Sequence, residues 1–166
     1  MMKARFLVAT GWCVLASLMA LRGDAAFALC WDGIHPDGRH PDVPAEFEAS
    51  DSVVTGFVVS SRNESSPDDP QGYEDTIYTV RVLDVFKGKV GQLLELTSEN
   101  TSARFPMAIG KKYLLFVNTS RVRDSLQPSG LETYVDSCGN SGTLDEKKAE
   151  LEAVRRMSGR RFPSPN

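Results

Sequence analysis

The chain has 166 residues, of which 25% are charged and 41% hydrophobic, a composition typical of one globular domain. Its formal net charge is −3. Proteins that bind nucleic acid usually carry a basic excess that neutralises phosphates, so this charge balance argues against that class.

The first 28 residues have the order of a secretory signal peptide. Lys3 and Arg5 precede an uncharged apolar run of 16 residues, Phe6 to Leu21, and Ala26–Ala28 supplies a small-x-small cleavage site. An uncleaved anchor is the alternative, but this run is shorter than the ~20 residues that span a bilayer. We therefore predict a secreted or periplasmic protein that begins at Leu29 and has no membrane span after cleavage.

The cysteines indicate one disulfide. Cys13 lies in the predicted signal peptide, which leaves Cys30 and Cys138 as an even pair in an oxidising compartment. A bridge between them would tie the mature N-terminus to a point near the end of the domain. Closing a loop of about 100 residues contributes up to ~4–5 kcal/mol in the chain-entropy model. Half of a metal site is the alternative, but neither cysteine has a partner at C-x-x-C spacing.

Five segments with strand character follow an arm at 29–44 that is rich in Pro, Gly and Asp. A short helical turn is predicted at 45–51, after the arm. Gly56 in the first strand predicts a bulge. No intervening segment resembles a long crossover helix, so the sheet should be largely antiparallel. The predicted strands are Ser52–Arg62, Asp75–Phe86, Gln92–Thr97, Lys111–Asn118 and Leu131–Cys138.

The end of the chain, 143–166, is predicted to be an α-helix followed by a tail. Thr143 and Glu146 have the spacing of a capping box, which predicts a helix that begins there. Gly159 and Pro163 would end it. The apolar residues of this segment fall near one helical face: Leu144, Leu151, Val154 and Met157.

Four strings add a family resemblance. Asp51–Val58 fits A-D-x-V-F-x-G-x-V, Tyr78–Gly88 fits Y-x-F-x-V-x-x-V-W-K-G, Gly110–Phe116 fits G-x-x-Y-L-V-F, and Ser137–Gly142 is similar to a closing C-S-G-T. In this order they resemble the bacterial, netrin-like branch of the tissue inhibitor of metalloproteinases family, over about Cys30 to Gly142. The implied fold of domain 29–142 is all-β, a five-stranded OB-like closed barrel with a disulfide-pinned N-terminal arm, ahead of the C-terminal α-helix.

The resemblance implies a non-enzymatic function, the binding of an extracytoplasmic protease or another protein, and it places partner binding at Cys30, Trp31 and Asp32. In the animal inhibitors the free amine and carbonyl of an N-terminal cysteine chelate the protease zinc. Here Leu29 precedes Cys30 at the predicted cleavage site, which argues against that chelation. The usual Cys-x-Cys start and middle cysteine are also absent, consistent with one lost disulfide and one retained.

Two alternatives stay open. One is a structural or envelope-associated β-barrel module without inhibitory activity. The other is a metal-binding protein, in which His35 and His40, with Asp32, Asp37 and Asp42 beside them, supply ligands for zinc or copper. The sequence shows no G-x-S-x-G elbow and no phosphate-cradling glycine loop, so we predict no catalytic residue and no cofactor.

Overall fold

The computed structural model describes residues 41–66, 72–101, 103–121 and 131–159. The predicted signal peptide and the candidate site residues Cys30, Trp31, Asp32, His35 and His40 lie outside these ranges. The described part is mostly β, which confirms the all-β class. Its elements are α1 (Val43–Ala49), β1 (Ser52–Ser65), β2 (Tyr73–Lys87), β3 (Leu93–Glu99), β4 (Lys112–Arg121), β5 (Leu131–Val135), β6 (Gly142–Thr143) and α2 (Lys148–Met157).

Five strands pair in a ring. Their order is β1-β2-β3-β5-β4, and β4 pairs back onto β1. The short β6 pairs with the beginning of β4. The pairing is antiparallel except between β3 and β5, which run parallel and pair at Thr97 and Tyr134. The prediction of a largely antiparallel sheet is therefore confirmed, and one short parallel contact completes the ring.

The predicted bulge lies at Gly56. The register between β1 and β2 shifts between Thr55 and Gly56, and again on both sides of this position. A Cβ atom at Gly56 would overlap the Val80 side chain of the neighbouring strand. Glycine therefore allows β2 to pass close to β1 where the first strand bends.

The sheet buries apolar side chains on both of its faces. Alternate side chains point inside the ring and away from it. The inner core comprises Val54, Val58, Tyr78, Val80, Leu96, Met107, Tyr113, Leu115, Val117 and Val135. The outer core lies between the sheet and the two helices and comprises Phe47, Val53, Phe86, Leu114, Phe116, Leu151 and Val154.

Helix α1 is held at both ends by side chains. Asp42 caps its beginning, because its Oδ1 accepts a hydrogen bond of 2.7 Å from the Ala45 N–H. At its end, Lys87 Nζ of β2 donates to the carbonyls of Phe47 (2.7 Å) and Glu48 (2.6 Å). An isolated helix of seven residues is not stable in water. These contacts and the outer core therefore hold α1 in place.

Helix α2 begins later than its sequence predicts. Thr143 pairs with Tyr113 in the β4–β6 ladder, and its hydroxyl donates to the Glu146 carboxylate at 2.7 Å. The helix begins at Lys148, with Lys147 as N-cap and no side-chain cap bond. The capping-box interpretation of Thr143 is therefore wrong, because its hydroxyl bonds the Glu146 side chain and a turn separates Thr143 from the helix.

Candidate functional site

The candidate site lies where the N-terminal segment meets the loop that follows β5. Glu46 of α1 is buried, with 8% of its surface exposed. Its Oε2 accepts hydrogen bonds from the backbone N–H of Asn140 at 2.7 Å and from Asn140 Nδ2 at 2.6 Å. Asn140 Nδ2 also donates to the carbonyl of Pro41 at 2.8 Å. We call Glu46, Asn140 and the Pro41 carbonyl the latch.

The loop that carries Asn140 is fixed on both sides of that residue. The Asp136 carboxylate accepts a hydrogen bond of 2.8 Å from the Cys138 N–H. The Phe116 N–H of β4 donates to the buried Ser141 Oγ at 2.9 Å. Between them, a Cβ atom at Gly139 would overlap the Glu46 carboxylate. The loop therefore has a defined conformation, and it leaves room for an acidic side chain to enter.

Opposing effects set the protonation of Glu46. Burial raises the pKa of the Glu46 carboxyl above its ordinary value, and the nearby negative charge of Asp136 adds to this effect. The two hydrogen bonds from Asn140 and the charge of Lys147 lower the pKa but do not cancel the effect of burial. Burial in the latch therefore disfavours the ionised form of Glu46, and the hydrogen bonds from Asn140 offset part of that cost.

Cys138, which lies in the same loop, is disulfide-bonded. The remaining cysteines of the chain, Cys13 and Cys30, lie outside the described residues, so the pairing of Cys138 with Cys30 stays a prediction. Pro41 is the first described residue, and its carbonyl accepts a hydrogen bond from Asn140, which lies two residues after Cys138. Pro41, near the end of the arm predicted at 29–44, therefore lies beside the loop that carries the predicted attachment point of that arm.

Sequence reasoning did not identify Glu46 and Asn140. Glu46 follows a proline in a segment with several acidic residues, and its pattern does not distinguish it from the exposed Glu48. Asn140 lies inside the string Ser137–Gly142, which carried the family resemblance without a role for this residue. Their pairing spans 94 positions and becomes evident only in the fold.

The latch can position a segment, but its groups do not form a metal centre. Within the ranges described, no group of three or more His, Cys, Asp or Glu residues could hold a metal ion. The two histidines of the proposed metal site lie outside those ranges.

Neither described helix is long and apolar enough to cross a bilayer. A scan against protein-family models and a search of curated proteins find no match to this chain.

Proposed function

We propose that this chain is an exported, non-enzymatic binding domain that resembles the tissue inhibitors of metalloproteinases, and that its arm at 29–44 contacts a protein partner through Cys30, Trp31 and Asp32. The proposed fold is an OB-like closed barrel. The ring order β1-β2-β3-β5-β4 and the bend at Gly56 support this architecture, because a small barrel needs closure and a sharply bent strand.

The fixation of Pro41 beside the Cys138 loop is the observation that carries this proposal. Asn140 donates to the Pro41 carbonyl, so Pro41 is held by a residue two positions after Cys138. Cys30 lies 11 positions before Pro41. An extended segment of that length reaches up to about 36–40 Å, so the predicted bridge to Cys138 is within its reach. The bridge and the latch would then hold the arm at both ends.

An arm that is held at both ends suits a binding role. A free segment loses conformational freedom when it binds, and this loss subtracts from affinity. Residues 31 and 32 would lie next to the bridge, where their freedom is already restricted. This arrangement supports Trp31 and Asp32 as partner-binding residues, with Trp31 as an aromatic anchor.

Inhibition of a metalloprotease is the specific form of this proposal. Zinc chelation by Cys30 requires a free amine on that residue, and Leu29 removes it if cleavage follows Ala28. Contact through Trp31 and Asp32 does not depend on that amine. The other two functions remain distinct: an envelope module would not inhibit a protease, and a metal carrier would retain zinc or copper through His35 and His40 after dialysis.

Photo-crosslinking tests the binding role. The full chain carries p-benzoylphenylalanine in place of Trp31 and is expressed in cells that export it. We expect irradiation to link this position to a discrete protein, and the yield to fall in the Cys30→Ser/Cys138→Ser variant, in which the arm is released. The matched control carries the same probe at Leu83, which is 46% exposed on β2.

Three outcomes separate the alternatives. Equal products from positions 31 and 83, or none from either, would contradict binding through the arm. A crosslinked partner together with undiminished activity of zinc proteases on a fluorogenic peptide would favour the envelope module. Peptide mapping without reduction tests the Cys30–Cys138 bridge, and mass spectrometry of the mature N-terminus shows whether Leu29 precedes Cys30.

A further inference from the structure

A groove of about 320 Å³ opens at the junction of β3 and β5. These two strands run parallel and, in the part of the chain described, pair only at Thr97 and Tyr134. Ala103 and Phe105 of the β3–β4 connection also line the opening. We call this feature the seam groove; it is lined by Thr97, Glu99, Phe105, Glu132, Tyr134 and Asp136, among others.

The walls of the seam groove are rich in carboxylates. Glu99, Glu132 and Asp136 line it, and Asp75 is the register partner of Glu99 on the neighbouring strand. Glu64 of β1 is in turn the partner of Asp75, so three acidic residues lie directly opposite one another across three strands. Like charges in this arrangement destabilise a sheet. The fold therefore carries a concentration of negative charge on this side.

Burial and the neighbouring negative charges raise the pKa of two of the carboxyl groups. Burial, followed by the charges of Asp75 and Glu99, raises the pKa of Glu132. Burial also raises the pKa of Asp75, and the charges of Glu99, Glu64 and Glu74 add to the effect. A cation bound in the groove would reverse these contributions, because it favours the ionised form of every carboxyl group around it.

Two described basic side chains, Arg62 and Arg104, lie beside acidic residues of this region. Arg62 donates to Glu95 at 2.9 Å and lies 3.7 Å from Glu64. Arg104 lines an adjacent depression together with Glu99 and Asn100. Neither of them lines the seam groove itself. Among the described side chains, those that line the groove therefore include three carboxylates and no basic group.

The seam groove also offers aromatic and apolar surface. Tyr134 is 37% exposed, and Phe105 is half-buried with its ring centroid 6.3 Å from that of Tyr113. Arginine combines an apolar stem with a planar cation that stacks on aromatic rings and pairs with two carboxylate oxygens. The groove volume is at the lower limit of ligand pockets, which suits one or two side chains better than a larger ligand.

We propose that the seam groove binds an arginine-containing basic segment of a protein partner, with the guanidinium group between Glu99 and Glu132 and against the Tyr134 ring. This inference rests on the proposed function, because it names the chemistry of the protein that the domain binds. It adds a contact surface on the described part of the domain.

A binding titration with the purified full-length exported protein tests the seam groove. The probe is a fluorescent nine-residue peptide with three arginines separated by glycines, followed by fluorescence anisotropy in low salt. We expect saturable binding that is weakened at least about tenfold in the Glu99→Gln/Glu132→Gln variant, because each arginine–carboxylate contact is a charge-assisted hydrogen bond. Tyr134→Leu should weaken binding severalfold.

Controls separate the groove from general charge attraction. Glu152→Gln removes one negative charge from the exposed face of α2 and should leave the affinity within about twofold. A peptide with citrulline in place of arginine, which is neutral and of similar shape, should not bind. The carboxamide variants should remain at least as thermally stable as the wild type, since they remove like-charge repulsion.

Several results would overturn the proposal: equal binding by wild type and Glu99→Gln/Glu132→Gln, equal weakening by Glu152→Gln, or full displacement of the peptide by calcium or putrescine at concentrations that match the peptide. The crosslinking experiment at Trp31 distinguishes the two levels of inference. If that crosslink forms while the arginine peptide does not bind, the seam groove proposal fails and the proposed function stands. If the peptide binds and no partner crosslinks, binding through the arm fails alone.

Discussion

Asn140→Ala tests the latch, and the structure gives the expected magnitude. The substitution removes two side-chain hydrogen bonds, one to the Glu46 carboxylate at 2.6 Å and one to the Pro41 carbonyl at 2.8 Å, and it leaves the backbone bond to Glu46 in place. A bond to a charged group contributes about 1.5–3 kcal/mol and a neutral bond about 0.5–1.5 kcal/mol. We therefore expect the free energy of unfolding to fall by about 2–4 kcal/mol, a large share of the 5–15 kcal/mol typical of a domain.

Urea denaturation of the oxidised protein, followed by far-UV circular dichroism, measures this change. Asn100→Ala is the matched control, because Asn100 Nδ2 donates one exposed hydrogen bond of 3.1 Å to the Tyr73 carbonyl. The control should lose less than about 1 kcal/mol. A difference between the two variants below about 0.5 kcal/mol, at an unchanged denaturant slope, would show that the latch adds little stability and would refute this reasoning.

Three further predictions follow from single positions. Because the pKa of Glu46 is raised in the folded state, the folded protein binds this proton more tightly than the unfolded chain does. The contribution of Glu46 to the free energy of unfolding should therefore fall as the pH rises from the ordinary value of 4.5 through the raised pKa. Urea denaturation at several pH values should show that Glu46→Gln removes this pH dependence. Gly88→Ala should cost about 1–3 kcal/mol in thermal unfolding, since Gly88 has φ +80° and a Cβ atom there would lie 2.6 Å from the Asp51 carbonyl oxygen; wild-type stability would contradict this explanation. Phe116→Ala should cost about 3–5 kcal/mol because Phe116 is fully buried in the outer core, whereas Leu93→Ala, at a position 60% exposed, should change stability by less than about 0.5 kcal/mol.

The sequence predicts the strands well because their signals are local. Apolar and β-branched residues mark the five predicted segments, and each segment overlaps one observed strand of the ring. The boundaries are less accurate: the first strand continues to Ser65, and the fifth ends at Val135 instead of Cys138. These differences arise because partners elsewhere in the sheet extend or end a strand, and a local pattern does not contain those partners.

The remaining features depend on contacts between distant residues. Thr143 has the local signature of a helix cap, but in the fold it pairs with Tyr113 of β4, and the helix begins at Lys148. The parallel contact between Thr97 and Tyr134 has no local signal, because it follows from closure of the ring. The same holds for the latch, since burial of Glu46 requires a glycine and an asparagine that lie more than 90 positions later.

The attachment of α1 has a consequence for the order of folding. The last carbonyls of α1 accept hydrogen bonds from Lys87, about 40 positions further along the chain. The carboxylate of Glu46 accepts its hydrogen bond from Asn140, 94 positions away. Seven residues do not keep helical structure until such late contacts form. Helix α1 should therefore dock after the strands have paired. An intermediate with a misassembled sheet would then lack the outer core that α1 completes, so protection of α1 from hydrogen exchange should appear last.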